Sequence, residues 1–237
     1  MRFASPLVPA RFVAREKRFL VHAVLDGGER VVAHTNNTGS MRGLLAANAR
    51  VWLSRADDPR RKLAWTLELV TAPTAGQPLV GVNTTLANRL VREALDGGLL
   101  ALPGAGAEIR AEVAYPTGSS RADFLLTDGA GRRTWVEVKN VSLVEQGLAL
   151  FPDAPTARGR KHLRELARVV ADGDLAAMVF CVQRGDADEV RPAAHIDPDY
   201  ATGLRRARDA GVGLYALQAA VATTGIRPRR CLPVVLP

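Results

Sequence analysis

The chain has 237 residues, of which 47% are hydrophobic and 24% are charged, a balance typical of a globular protein. It contains only two cysteines, Cys181 and Cys231, which excludes a disulfide framework and a cysteine-based metal site. The net charge of +8 favours an anionic partner such as a nucleic acid. No run of about 18 apolar residues is present, and the amino-terminal segment lacks an apolar signal-peptide core. We therefore expect a cytoplasmic protein with no membrane partner.

Residues 1–80 are predicted to form an all-β domain. Turn-forming residues such as Asp26-Gly27-Gly28 separate short strand-like segments, which is typical of β-hairpins. The five predicted strands are 8–14, 19–25, 29–34, 49–54 and 63–71. Five such strands fit an OB-like β-barrel, the commonest five-stranded design. This domain holds 12 Lys and Arg against 6 Asp and Glu, so most of the net positive charge lies here.

Basic residues after the first predicted strand form a candidate nucleic-acid surface. Arg15, Lys17 and Arg18 lie close together in the sequence, and on a small barrel they fit a groove for a phosphate backbone. A solvated loop explains the same charges about equally well. The segment 34–41 is rich in small polar residues. It either wraps a phosphate or forms a turn held by asparagine side chains.

A segment with two prolines and a glycine, residues 72–78, marks the predicted boundary before a second domain that spans 81–237. A helix is predicted over 84–96, because apolar residues recur there at helical spacing. Glu93 on this helix is either a metal-binding carboxylate or, by default, a surface charge.

The stretch 119–140 is predicted to form a β-hairpin around a glycine-rich turn at 128–131. If the turn pivots on Ala130, Asp123 lies directly opposite Glu137. Two carboxylates roughly 5 Å apart repel each other unless a cation lies between them, and the natural cation is Mg²⁺, or Mn²⁺ in its place. The predicted core face carries Ala122, Phe124, Leu126, Thr134, Val136 and Val138, and the other face carries Arg121, Asp123, Leu125, Trp135, Glu137 and Lys139.

A second helix is predicted over 157–172, with Thr156 as its N-cap. Arg158, Lys161 and His162 share one face by helical spacing. Basic side chains at the start of a helix oppose its macrodipole, and a bound phosphate would offset that cost. A solvated basic face is an equally good explanation.

The apolar run 176–182 predicts a central strand that is covered on both faces. It ends at Gln183, at the strand edge where α/β proteins commonly bind ligands, so Gln183 is a candidate phosphate-binding residue. The remaining predicted elements are strand 107–115, helix 198–210 and strands 214–217 and 232–236.

Asp123, Glu137 and Lys139 match the pattern D…E-x-K and resemble the core of PD-(D/E)XK nuclease-like α/β (α+β) domains. In such a site Asp123 and Glu137 hold Mg²⁺, which acidifies a water and stabilises charge on a phosphodiester. Lys139 orients the attacking water or neutralises the phosphate. The alternative is a structural cluster of cross-strand ion pairs, Arg121 with Glu137 and Asp123 with Lys139.

Two further oxygen donors are candidates for the same cation, the side chain of Glu93 and the backbone carbonyl of Val138. Arg121 is a candidate phosphate contact, because it is predicted to share the face of the catalytic residues.

Nine sequence blocks occur in order along nearly the whole chain, at residues 36–41, 51–54, 81–84, 120–126, 136–141, 151–154, 158–163, 182–184 and 196–198. Together they resemble the sugar fermentation stimulation protein (SfsA) family. The resemblance implies an amino-terminal OB-like domain, a carboxy-terminal nuclease-like domain, non-specific DNA binding and a regulatory link to sugar (maltose) metabolism. The family's usual HCPNTGSM reads His34-Thr35-Asn36-Asn37 before Thr38 in this chain, so no thiol-based role is carried over.

Two main hypotheses follow. The first is a DNA-binding protein with a nuclease-like divalent-metal site and no obligatory protein partner. The alternative is an active Mg²⁺-dependent nuclease that cleaves DNA or RNA. A weaker third hypothesis is a nucleotide sensor that uses a cleft between the two domains.

Overall fold

A computed structural model describes residues 1–58, 60–104, 108–116 and 120–236. Ser119, at the start of the predicted hairpin stretch, and Ala107, at the start of predicted strand 107–115, lie outside the described residues. Within the described ranges the chain forms a β-barrel followed by a larger α/β domain. No helix in these ranges is long and apolar enough to span a membrane.

The amino-terminal domain is an OB-type barrel closed by five strands, as predicted. Strand β3 hydrogen-bonds to β5 as well as to β2, and this additional pairing closes the barrel. Val21, Val51, Leu53 and Leu67 are fully buried in its core. The strands are β1 (Val8–Glu16), β2 (Leu20–Leu25), β3 (Arg30–His34), β4 (Arg50–Arg55), β5 (Trp65–Thr71) and the short β6 (Leu79–Gly81), which extends the sheet beside β5.

The carboxy-terminal domain is built on a six-stranded mixed sheet with helices on both faces. Its elements are α1 (Thr85–Asp96), β7 (Glu108–Ala114), β8 (Arg121–Thr127), β9 (Arg133–Val141), β10 (Leu143–Glu145), β11 (Leu148–Phe151), α2 (Ala157–Ala171), β12 (Leu175–Val182), β13 (Glu189–Pro192), α3 (Pro198–Asp209), β14 (Gly213–Ala222) and β15 (Gly225–Leu232). The large sheet has the order β15-β14-β12-β9-β8-β7, and a small sheet has the order β10-β11-β13. The central strand β12 runs parallel to both β9 and β14.

Two apolar clusters cover the two faces of the large sheet. Leu90 of α1 packs with Val136 on one face. Leu166 of α2 and Leu204 of α3 pack with Trp135 on the other. The continuous apolar run in β12 follows from this arrangement, because its side chains are buried on both faces of the sheet.

The predicted register of the β8–β9 hairpin is confirmed over its paired residues. Phe124 pairs with Val136 and Thr127 pairs with Arg133, as a turn centred on Ala130 requires. Asp128 caps this turn by accepting the backbone N–H of Ala130 at 2.9 Å. The predicted face assignment is wrong at Ala122, which packs in the cluster that contains Trp135 rather than with Phe124. It is also wrong at Asp123, which bonds to Asn88 of α1, the helix that packs with Phe124.

The last two helices, α2 and α3, each begin at a residue whose side chain caps the helix. Thr156 accepts a hydrogen bond from the backbone N–H of Gly159 at 3.0 Å, which confirms its predicted role. Asp197 caps α3 through the N–H of Tyr200 at 2.9 Å. Thr156 and Asp197 are also joined, since the Thr156 N–H donates to the Asp197 carboxylate at 2.8 Å.

The sequence-based prediction is wrong for the last strand, which spans Gly225–Leu232 instead of 232–236. Arg227, Arg229 and Arg230 give this edge strand a polar pattern that hides its strand character. The strands β6, β10, β11 and β13 are absent from the prediction because three or four residues are too few to establish a periodicity.

Candidate functional site

A cleft of about 840 Å³ lies between the barrel and the α/β domain. The barrel contributes the loop 36–40, which connects β3 to β4. The α/β domain contributes the start of α1, the carboxyl end of β9 and the segment 150–156 that leads into α2. Asp123, Glu137 and Lys139 all line this cleft, so the fold brings together the three residues of the D…E-x-K pattern.

Asp123 is held by two hydrogen bonds at the point where the β8–β9 ladder stops. Its Oδ1 accepts from Asn88 Nδ2 of α1 at 2.8 Å, and its Oδ2 accepts from the backbone N–H of Val138 at 2.7 Å. The side chain thus bonds to the strand backbone one residue beyond the predicted partner. Burial and the adjacent negative charge of Glu137 raise the pKa of Asp123, despite these two hydrogen bonds.

Glu137 is the most buried acid of the site, at 3% exposure. Its Oε1 accepts hydrogen bonds from Lys139 Nζ at 2.5 Å and from His162 Nδ1. Its Oε2 is buried and has no hydrogen-bond partner among the described residues. Burial opposes ionisation of this carboxyl, but His162 and Lys139 outweigh burial and lower the pKa of Glu137. Glu137 is therefore a stable carboxylate whose second oxygen is buried and makes no hydrogen bond among the described residues.

The position of His162 does not match the phosphate-binding role that was predicted for it. The ring is 2% exposed and lies between Glu137 and Arg158. Its Nε2 accepts a hydrogen bond from Arg158 Nε at 3.3 Å, which assigns the ring proton to Nδ1, the nitrogen that faces Glu137. His162 therefore orients the carboxylate of Glu137 and does not face a ligand directly.

The predicted phosphate contacts divide into those that line the cleft and those that do not. Arg18 and Arg158 line it, as does Arg15. Lys17 and Arg121 are exposed and lie outside its lining.

Arg15 organises the cleft wall with hydrogen bonds to backbone carbonyls. Its guanidinium donates to the carbonyls of Asn37 at 2.7 Å, Gly39 at 2.9 Å and Arg18 at 2.8 Å. Burial lowers the pKa of Arg15, partly offset by the charge of Asp153. Arg15 therefore shapes the loop 36–40, and its predicted phosphate contact stays a prediction.

Lys161 and Gln183 also differ from their predicted positions. Lys161 forms an ion pair with Glu165 at 3.6 Å on the same helix and does not line the cleft. Gln183 is fully buried, and its Nε2 donates to Asn140 Oδ1 at 2.6 Å and to the Asn83 carbonyl at 3.3 Å. Gln183 thus joins the start of α1 to β9, and burial separates it from any phosphate.

Glu93 lies outside the cleft that contains Asp123 and Glu137, although it lines a neighbouring pocket together with Asp123. Its side chain is 47% exposed, accepts a hydrogen bond from the amino terminus of Met1 at 3.1 Å, and lies outside the cleft lining. Glu112 of β7 lines the cleft instead, next to Asp123 in the β7–β8 register. Its backbone has a φ of 53°, a left-handed conformation that is unusual for a non-glycine residue in a strand. The pairing of β7 with β8 is the signal that would have identified it.

The donor set fits a hard divalent cation, with two carboxylates and an unpartnered oxygen on Glu137. Burial, and to a lesser extent the charge of Glu137, raise the pKa of Asp123, and a bound cation would favour its ionised form. Across the described ranges, no three His, Cys, Asp or Glu side chains converge on one point. Water and phosphate oxygens would therefore complete the coordination of such a cation.

An OB-type barrel followed by an α/β domain with a D…E-x-K cleft defines a two-domain class of protein. The chain matches two family models, the SfsA N-terminal OB domain over residues 13–82 and the sugar fermentation stimulation protein RE domain over residues 85–225. The chain belongs to the sugar fermentation stimulation protein family.

Similar proteins cover the whole chain. The sugar fermentation stimulation protein homolog of Thioalkalivibrio sulfidiphilus is 48% identical over 100% of this chain and 98% of its own length. The homolog of Halorhodospira halophila is 50% identical over 99% and 98%, respectively. A solved structure, titled "The structure of Pyrococcus Furiosus SfsA in complex with Ca2+", superposes with a TM-score of 0.87 at 26% identity, over 99% of this chain and 98% of that one.

Proposed function

We propose that the protein binds the phosphodiester backbone of DNA in the interdomain cleft, with a divalent cation held by Asp123 and Glu137. The observation that carries this proposal is the buried, unpartnered Oε2 of Glu137, next to a second carboxylate whose pKa is raised. A bound cation would satisfy that oxygen and relieve the repulsion between the two acids.

Two further observations support a phosphate-bearing ligand. Arg18 and Arg158 line the cleft on opposite walls, one from the barrel and one from α2, and guanidinium groups bind phosphate well. The Pyrococcus furiosus relative was solved with Ca²⁺, a hard cation that takes oxygen ligands as Mg²⁺ does.

A binding measurement tests this proposal. Fluorescence anisotropy of a labelled DNA oligonucleotide would be measured with Mg²⁺ and with EDTA, for the wild type and for Asp123→Asn. We expect Mg²⁺ to tighten binding by the wild type by roughly tenfold or more and to have little effect on the variant. Glu145→Gln, which changes a half-exposed acid paired with His195 outside the cleft, is the matched control. Affinity that is the same with Mg²⁺ and EDTA would refute the cation's role.

Hydrolysis of the bound phosphodiester is the second candidate function, and the position of Lys139 favours it. Its Nζ lies 2.5 Å from Glu137 Oε1 at the cleft floor, with its side chain only 12% exposed. A bound cation would lower the pKa of a water and stabilise charge on the phosphate. Lys139 and Glu137 would then hold the attacking water and the phosphate in place, with Lys139 donating hydrogen bonds to either.

Incubation of labelled DNA and RNA with Mg²⁺, Mn²⁺ or EDTA tests this second function. We expect cleavage that requires the metal and that falls by roughly 10²-fold or more in Lys139→Ala, while DNA binding survives. The absence of cleavage of every substrate with either metal would reject hydrolysis and leave the binding proposal standing.

A further inference from the structure

We propose that the cleft accepts single-stranded nucleic acid and excludes an intact duplex, an inference that rests on the proposed function above. It depends on three features of the described residues. They are the depth of the acidic site, the hydrogen bonds that join the two cleft walls, and a half-exposed aromatic ring adjacent in sequence to a lining arginine.

The acidic site lies at the bottom of the cleft. Glu137 is nearly inaccessible to solvent, and Asn88 and the Val138 backbone hold Asp123 from two sides. Asp123 also lines a second pocket beside α1, but Glu137 lines only the cleft, so a phosphate must enter the cleft to share a cation with both acids. The backbone of a duplex resting on the rim would remain too far away, because direct coordination of Mg²⁺ requires oxygens at about 2.1 Å.

The two walls are joined, which limits how far the cleft can admit a wide ligand. The Ser40 hydroxyl donates to the Asp153 carbonyl at 2.8 Å, and the Met41 N–H donates to the Asp153 carboxylate at 2.9 Å. Gly39 permits this approach, since a Cβ at that position would lie 3.2 Å from both Asp153 carboxylate oxygens.

The same loop is also fixed at its other end. Asn36 Nδ2 donates to Asn83 Oδ1 at 3.0 Å, and Thr84 Oγ1 donates to the Asn36 carbonyl at 3.2 Å. The barrel loop is thus attached to the α/β domain at Asn83–Thr84 and at Asp153. A duplex could reach the acids only if both attachments broke.

The volume of the cleft agrees with a narrow ligand. About 840 Å³ is the size of a pocket for a drug-sized molecule, which is enough for a few nucleotides of one strand. The major groove alone of B-DNA is about 12 Å wide, so a duplex is far wider than such a pocket. Proteins that act inside a duplex extrude the target nucleotide into a pocket of this kind.

Phe19 supplies a stacking surface suited to an unpaired base. It lies outside the cleft lining, directly after the lining residue Arg18, and is 40% exposed with its ring 6.2 Å from that of His34. A base released from a duplex stacks on such a ring, whereas a paired base is already stacked on its neighbours. Arg18, which lines the cleft, would then hold the adjoining phosphate.

The test compares two fluorescein-labelled DNA probes with equal numbers of phosphates, a single-stranded oligothymidine and a blunt hairpin duplex. Anisotropy is measured in Ca²⁺. We expect the single strand to bind at least about tenfold tighter, and Phe19→Ala to weaken single-strand binding by roughly fivefold or more without changing duplex binding. Phe19→Tyr should bind the single strand as tightly as the wild type does. Val13→Ala, which removes another exposed apolar side chain of the barrel, should leave the affinity for both probes unchanged.

The outcomes separate this inference from the function on which it rests. Duplex binding that equals or exceeds single-strand binding overturns the single-strand inference and leaves DNA binding intact. If Phe19→Ala binds both probes as tightly as the wild type does, the stacking role of Phe19 is overturned. Failure of the wild type to bind either probe overturns the proposed function and the inference together.

Discussion

At the scale of residues, the site depends on how Glu137 is held. Lys139 and His162 both bond to Oε1, whereas Oε2 is buried without a hydrogen bond among the described residues. Arg158 in turn bonds to the far nitrogen of His162. A chain of three basic side chains therefore fixes the orientation and charge of one carboxylate, as residues behind a metal ligand commonly do.

Replacement of His162 should disturb both stability and cation binding. We expect His162→Phe to lower the free energy of unfolding by about 1–3 kcal/mol, because a buried charged group loses a hydrogen bond. The variant should need about 10- to 100-fold more Mg²⁺ than the wild type to reach the same gain in oligonucleotide affinity. Urea denaturation and anisotropy measure the two effects. His195→Phe, at a half-exposed histidine, is the control, and equal behaviour of the two variants would contradict the assigned role.

The sequence predicted that Asp123, Glu137 and Lys139 belong to one site because a single hairpin carries all three. Turn chemistry and alternation specify such a local arrangement. Glu93 and Gln183 are different, since their surroundings come from segments far away in the chain. The amino terminus binds Glu93, and Asn140 with the Asn83 carbonyl binds Gln183, and no local pattern encodes those contacts.

At the scale of elements, the segment 151–156 and helix α3 support the cleft wall. Asp197 accepts the N–H groups of Thr156 and Tyr200 and also pairs with Arg160 at 2.8 Å. One buried carboxylate thus caps α3 and fixes the residue at which α2 begins.

The long helices and the closed barrel could be predicted from periodicity and turn signals in the sequence. The small β10-β11-β13 sheet could not, because it depends on pairing between distant short segments.

Asp197→Ala should destabilise the protein by about 1–3 kcal/mol, through loss of the cap and of the bond to Thr156. Burial opposes ionisation of Asp197, but the bonds from Thr156, Tyr200 and Arg160 outweigh it and lower its pKa. A lowered pKa stabilises the fold above the unfolded value of about 3.9, and that stability is lost as the pH falls through the folded-state pKa.

Urea unfolding at pH 7 and at pH 3 measures this dependence. The difference between the wild type and Asp197→Asn should be larger at pH 7 than at pH 3. A constant difference at the two pH values would show that the charge of Asp197 contributes nothing to stability.

Gly81 on β6 marks a tight junction between the barrel and the α/β domain. A Cβ there would lie 2.5 Å from Gln183 Oε1 and 3.0 Å from Ile226 Cδ1, and both neighbours are buried. We expect Gly81→Ala to lower the free energy of unfolding by about 1–3 kcal/mol. Gly129→Ala is the matched control, because nothing lies within 4 Å of its Cβ position. Thermal or urea denaturation decides, and equal stability of the two variants would contradict the close packing.

At the scale of the whole molecule, the net charge of +8 predicts salt-dependent binding of nucleic acid. The logarithm of the association constant should fall linearly with the logarithm of the salt concentration. Replacement of Arg18 or Arg158 by Ala should reduce that slope by about 0.7 for a single strand. Arg208→Ala, on α3 outside the cleft lining, should leave the slope unchanged. Affinity that is independent of salt would contradict electrostatic binding.

The joined walls show why two domains are needed for one site. The barrel contributes the loop 36–40 and Arg18, and the α/β domain contributes the acids and Lys139. The type of each domain follows from its own sequence pattern. The cleft between them does not, since its closure depends on hydrogen bonds between loops, such as those from Ser40 and Met41 to Asp153.

Calorimetric titration of the protein with Mn²⁺ decides whether Asp123 and Glu137 hold a divalent cation. We expect saturable binding by the wild type, affinity weaker by at least about tenfold in Glu137→Gln, and unchanged affinity in the control Glu145→Gln. No binding by the wild type, or equal binding by Glu137→Gln, would show that these residues hold no cation.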